Sequence, residues 1–146
     1  MKVFVDGDAC PVLKKVEEIC QEHSLELIVV SDTNHLLDLE YGKHIMVDKQ
    51  RDSSDYVLVN LIEQGDLLIT QDYGLASMTL AKRAYILHPL GFEYTSENID
   101  ELLFNRYMGA KNRRSTKKKH LSGPPKRTKE DDHRFQERML AILKKE

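Results

Sequence analysis

The chain has 146 residues, 40% of them hydrophobic, and a formal net charge of -2. That length suits one domain with a real core, and no apolar run reaches the roughly 20 residues that a membrane helix needs. The opening MKVFVDGD lacks the pattern of a signal peptide, so a cytoplasmic protein is expected.

The charge is unevenly divided. Residues 1–109 hold 9 Lys/Arg against 19 Asp/Glu, a net of -10, and residues 110–146 hold 13 against 5, a net of +8. An acidic body suits cations, and a basic tail either suits polyanions or merely solvates the chain. Cys10 and Cys20 match neither zinc nor thioredoxin spacing and read as free thiols.

Val3, Phe4 and Val5 read as a buried strand. Asp6 and Asp8 follow at once, and Pro11 fits the first turn of a helix. Two neighbouring anions repel, which calls for a cation or a shared proton. Residues 11–23 place Val12, Val16, Ile19 and Cys20 on one helical face. LELIVVS supplies a second strand, and DTNHLLDLEYG reads as a short helix or a structured loop. Residues 44–48 form a third strand, 52–64 a helix, 67–70 a fourth strand and 73–83 another helix. Residues 84–88 form a fifth strand, Pro89 and Gly91 break the chain, and 96–108 form a further helix. This alternation predicts an α/β fold, a mainly parallel sheet of about five strands with helices on both faces.

Residues 1–109 therefore read as the α/β domain and 110–146 as a basic, partly flexible tail. Thr128 and Asp131 resemble a capping box. The helix after them, to about residue 144, carries Phe135, Met139, Ile142 and Leu143 on one face. That face needs cover, from the domain's own body or from a second copy in a homodimer.

Parallel strands bring their carboxyl ends to one edge, where ligands bind in open α/β sheets. Asp6, Asp8, Asp32, Asp48 and Asp72 all lie just past predicted strand ends, whereas Asp66 starts a strand and reads as a turn residue. Asp52 and Asp55 share one side of a helix start. Either they serve the helix terminus, or Asp55 leans over the crevice to join Asp6 and Asp72. Three or four carboxylates around a wet crevice suit Mg²⁺ or Mn²⁺, as one ion or as two bridged by Asp6. Such a site activates water and neutralises a phosphodiester. Thr70 either bonds a phosphate or bound water, or is simply a β-former at a strand end. Cys10 reads as a packing residue, the six histidines as surface or loop residues, and Lys82-Arg83 as partners of a helix dipole. In the tail, Arg113, Arg114, Lys117, Lys118 and Lys119 are candidates to position nucleic acid through its phosphates.

The segments VFVDGDACPV, DSSDYVL, GDLLITQDYGLA and YILHPLGFEYTSENID, with the tail elements RR, GPP and DDHRF, resemble the YaiI/YqxD family of bacterial proteins across nearly the whole chain. That family is related to PIN-like nuclease domains, and its usual opening has Ala where this chain has Gly7. The resemblance implies a PIN-like fold with an acidic metal cluster of Asp6, Asp55 and Asp72, with Asp8 beside them. It implies metal-dependent hydrolysis of nucleic acid, RNA ahead of DNA.

Two rivals remain. In an aspartate-nucleophile phosphatase of the haloacid-dehalogenase type, Asp6 is the nucleophile, Asp8 the general acid and Thr70 the strand-end hydroxyl. The immediate helix opening at Pro11, and the His88-Pro89 strand end after Lys82, count against it. In a non-catalytic protein, the tail alone holds nucleic acid, with strong salt dependence.

Overall fold

A computed structural model of the chain describes residues 1–8, 10–31, 38–48, 53–115 and 126–145, with only the backbone described over 110–115. Its strands are β1 (Lys2–Asp6), β2 (Glu26–Ser31), β3 (Lys43–Met46), β4 (Leu67–Ile69), β5 (Tyr85–Leu87) and β6 (Glu93–Tyr94). The helices are α1 (Leu13–Glu22), α2 (Ser54–Leu61), α3 (Tyr73–Leu80), α4 (Ile99–Ser115) and α5 (Lys129–Leu143). The sheet order is β3-β2-β1-β4-β5-β6, all parallel except the antiparallel β5–β6 pair. From β1 the chain winds outward through β2 and β3, then returns to lay β4 and β5 on the other side. The winding therefore reverses between β1 and β4. The architecture is consistent with a PIN-like α/β fold.

Alternation along the strands builds two cores, because successive side chains point to opposite faces. Val3, Val5, Leu27, Val29, Leu67, Ile69 and Leu87 face α1 and α5. Phe4, Ile28, Val30, Leu68 and Ile86 face the layer of α2, α3 and α4. Asp66 closes the amino end of the sheet, accepting from the backbone N–H of Lys2 and of Glu63, both at 2.9 Å. It is a structural turn residue at the edge opposite the other strand-end carboxylates.

The C-terminal helix is part of this body. Phe135, Met139 and Ile142 are fully buried in the same cluster as Val3 and Val5, so the chain's own sheet covers the apolar face of α5. The capping box forms: Thr128 accepts from the Asp131 N–H, and Asp131 accepts from the Thr128 N–H at 2.9 Å.

Several boundaries differ from expectation. Helix α4 continues to Ser115, so a division at 109/110 falls inside a helix. Pro11 lies in the turn before α1, whose N-cap is Val12. A sixth strand, β6, is two residues long, too short to leave a periodic signal. Lys82 donates to the Val59 carbonyl in the last turn of α2 and so serves a neighbouring helix rather than its own.

Gly91 sits in the turn between β5 and β6 at φ +93°, and a Cβ there would meet Arg134 C and Phe135 N at 2.8 Å. Both the backbone conformation and the close approach of α5 require glycine. Gly91→Ala is expected to cost about 1–3 kcal/mol, read as a lowered urea midpoint with an unchanged m-value.

Candidate active site

Register brings the first two site residues together. Val5 pairs with Ile69, so the next residues along each strand, Asp6 and Thr70, emerge side by side at the point of reversal. The Thr70 hydroxyl donates to Asp6 Oδ2 at 2.9 Å and accepts from the Asp72 backbone N–H at 2.9 Å. Thr70 is fully buried. Its proton is thus committed to Asp6, and the residue positions a carboxylate instead of meeting phosphate or water itself.

Asp72 caps α3. Its Oδ1 accepts from the N–H groups of Gly74 at 2.9 Å and Leu75 at 3.2 Å, and Arg106 Nη1 of α4 stands 3.7 Å away. The α2 cap is Ser53, whose side chain accepts from the Tyr56 N–H at 3.2 Å. Asp55 lies in the first turn of that helix, near enough for its charge to act on Asp6.

Burial and the charges of Asp55, Asp8 and Asp72 push the Asp6 carboxyl from 3.8 to about 6, against the opposing hydrogen bond from Thr70. So Asp6, Asp8, Asp55 and Asp72 form one electrostatic cluster. Three of its members, Asp6, Asp8 and Asp72, line a cleft of about 440 Å³ with Thr70, Tyr73 and Arg106, whereas Asp55 is not on its wall. Asp48 follows edge strand β3, two strands away from β1. Asp32, Asp52, Lys117, Lys118 and Lys119 lie outside the described residues, and Arg113 and Arg114 are described only as α4 backbone.

Among the described residues, no three His, Cys, Asp or Glu side chains stand close enough to enclose a metal ion by themselves. The donor set still fits Mg²⁺ or Mn²⁺ in kind. These hard cations prefer carboxylate oxygen, and Mg²⁺ usually retains water and binds through one or two carboxylates together with substrate phosphate.

Two further groups, Cys10 and His88, are held neutral. Cys10, on the cleft wall, is pushed to about 11 by burial and by Asp6, despite the opposing Val12 backbone bond and Arg127 charge. It is a packing thiol. His88, expected as a surface or loop residue, follows the end of β5 but is buried; it stacks on Phe92 with ring centroids 4.4 Å apart, and its Nδ1 accepts from the Leu90 N–H at 2.9 Å. Burial and the Arg127 charge lower its pKa to about 4.

Arg106 and Tyr73 escaped the sequence reading. No local spacing marks Arg106, because only the packing of α4 against α3 brings its guanidinium to Asp72.

Fold and cleft define an α/β protein with an acidic centre at the switch point of a mainly parallel sheet. The chain belongs to the YaiI/YqxD family: the family model described as "Uncharacterized BCR, YaiI/YqxD family" matches residues 4–145. It is 44% identical over 136 residues to a UPF0178 protein of Clostridium acetobutylicum, covering 93% of this chain and 92% of that one. It is 45% identical over 143 residues to a UPF0178 protein of Alkaliphilus oremlandii, covering 98% and 91%. A third UPF0178 protein, from Natranaerobius thermophilus, is 43% identical over 147 residues, covering 98% and 96%. No solved structure gives a significant match. No helix among the described residues is long and apolar enough to cross a membrane.

Two stability predictions follow from the charges. The fold favours neutral Asp6, so that contribution is present below pH 3.8 and lost as pH rises through about 6. Without divalent metal, Asp6→Asn should therefore gain on the order of 1–2 kcal/mol at pH 8, and less at pH 5, in urea titrations. His88 has the opposite sign: its contribution is full above pH 6.5 and lost as pH falls through about 4. Thermal melts across that interval should show a flatter pH dependence for His88→Gln than for the parent.

Proposed function

We propose that the protein is a divalent-metal-dependent nuclease that hydrolyses phosphodiester bonds, in RNA ahead of DNA, at the carboxyl edge of its sheet. The observation that carries this reading is the gathering of Asp8, Asp55 and Asp72 around Asp6 where β1 and β4 diverge. Ligands bind at such switch points in open α/β sheets. A cluster of like charges, one of them pushed up to about 6, would be relieved by a cation.

From Asp6, Asp8, Asp55 and Asp72, one or two carboxylates would hold Mg²⁺ or Mn²⁺ together with water and the substrate phosphate. Bound there, the ion supplies Lewis-acid neutralisation of the phosphate charge and lowers the pKa of coordinated water. The rest falls to the chain. Thr70 fixes the Asp6 carboxylate through one hydrogen bond, so the ligand is preorganised. Arg106 places a guanidinium on the cleft wall, suited to a phosphate oxygen. In the hydrolysis a water oxygen bonds to phosphorus as the P–O ester bond breaks. The proton released by water and the one taken by the leaving oxygen balance through solvent. The basic residues Arg113, Arg114, Lys117, Lys118 and Lys119 would add phosphate contacts that position the strand without reading its sequence.

The phosphatase alternative needs an acidic residue at a strand end after a later lysine-bearing segment, but the strand after Lys82, β5, runs into His88 and Pro89. Among the described residues that line the cleft the only cation is Arg106.

The test compares the parent with Asp6→Asn and Asp72→Asn on single-stranded RNA, single-stranded DNA and a small phosphomonoester, with Mn²⁺ or Mg²⁺ and after chelation. The nuclease reading expects cleavage of the polymer, lost on chelation and reduced on the order of 10²-fold or more in both variants. Monoester turnover with a trapped phospho-aspartate at Asp6 would establish the phosphatase. Nucleic-acid binding without cleavage would leave a binding protein.

A further inference from the structure

A second pocket, of about 430 Å³, adjoins the carboxylate cleft and shares Gln71, Tyr73 and Pro89 with it. Its own walls are Pro11, His88, Leu90 and Arg127, with Asp131 at one side. Ligand pockets of this size are typically apolar with a few placed polar groups, and here the cation is Arg127.

Arg127 is unusually placed. It immediately precedes Thr128, the N-cap of α5, and that helix is anchored by Phe135, Met139 and Ile142. Its Nε donates to Asp132 Oδ1 at 2.6 Å. Its Nη2 is buried, yet has no hydrogen-bond partner among the described residues. A buried charged donor without an acceptor is costly, and none of the described residues supplies one. The guanidinium is also close enough to Cys10, on the carboxylate cleft, and to His88, in this pocket, for its charge to act on both. It lines this second pocket together with His88. Asp131 does not oppose an anion strongly, because its carboxylate is occupied by the Thr128 N–H and by Arg134.

We propose that this pocket receives the nucleotide next to the scissile phosphate of a single-stranded polynucleotide, its base against Pro11, Tyr73 and Leu90 and its phosphate on the Arg127 guanidinium. The occupant follows from charge and continuity. A guanidinium suits phosphate, an apolar and aromatic wall suits a base face, and the pocket opens beside the carboxylates proposed to act on the adjoining ester. The assignment rests on the nuclease reading for its register, but the binding it predicts is independent of catalysis.

Fluorescence anisotropy or calorimetry, in chelator so that nothing is cleaved, compares a 5′-phosphorylated trinucleotide with the matching mononucleotide. Uridine and deoxythymidine series separate RNA from DNA. The parent is expected to bind the trinucleotide about tenfold or more tightly than the mononucleotide. Arg127→Gln should remove most of that gain and lower the salt slope for the trinucleotide by about one, and Arg127→Lys should restore part of it. Leu90→Glu, on the 43% exposed rim, tests the same pocket without touching the α5 cap and should also abolish the gain. Equal length dependence in the parent and in folded Arg127→Gln and Leu90→Glu overturns the proposal. So does an equal loss for both ligands. If the length-dependent gain stands while the Asp6→Asn comparison finds no cleavage, the subsite survives and only the nuclease reading fails.

Discussion

The hydrogen bond from Thr70 to Asp6 spans the line along which the sheet reverses its winding. Neither residue is near the other in sequence. They meet because β1 and β4 pair in parallel with Val5 opposite Ile69, which fixes where both strands end. Parallel pairing also puts the amino ends together, where Asp66 ties the first residue of β1 to the turn before β4. One strand pair thus carries a structural carboxylate at one edge and a strained acidic cluster at the other. The difference lies in partners. Asp66 faces backbone donors, whereas Asp6 faces three other carboxylates and a single hydroxyl.

That cluster is an unfavourable arrangement for an isolated chain. Burying a carboxylate among like charges weakens the fold above the pKa of the buried group. The rest of the structure absorbs this. Apolar side chains fill both faces of the sheet, and α5 completes the face that α1 alone does not cover. The close passage of α5 over Gly91 fixes the loop after β5, which forms one wall of the cavities beside the carboxylates. The last helix is therefore tied to the site through a backbone contact, although its side chains are chiefly core.

The two charge regions of the chain also prove less separate than their composition implies. Helix α4 begins in the acidic body, delivers Arg106 to Asp72 and runs on into the basic stretch. Arg127, from the far side of that stretch, returns to the region between Cys10 and His88. One basic group thus lines the acidic cleft and another lines the pocket next to it. That arrangement suits a polyanion held next to bound cations, since each charge type contacts a different part of it.

Periodicity and turn residues determined much of this protein from the sequence alone. The α/β class, five of the six described strands, the five described helices and the capping box at Thr128 and Asp131 follow from local patterns, because strand alternation and helix caps are properties of neighbouring residues. The placement of Asp6 at a strand end, and of Asp8 and Asp72 just past one, was legible for the same reason, once the strands were taken as parallel. The tertiary structure alone decided which strand lies beside β1, and hence that Thr70 serves Asp6. It alone decided that α5 packs on its own sheet, that His88 is buried, that Arg106 comes to the cleft and that Arg127 lines the pocket beside it. Those outcomes depend on contacts between residues tens of positions apart, and such contacts leave no periodic trace in the chain.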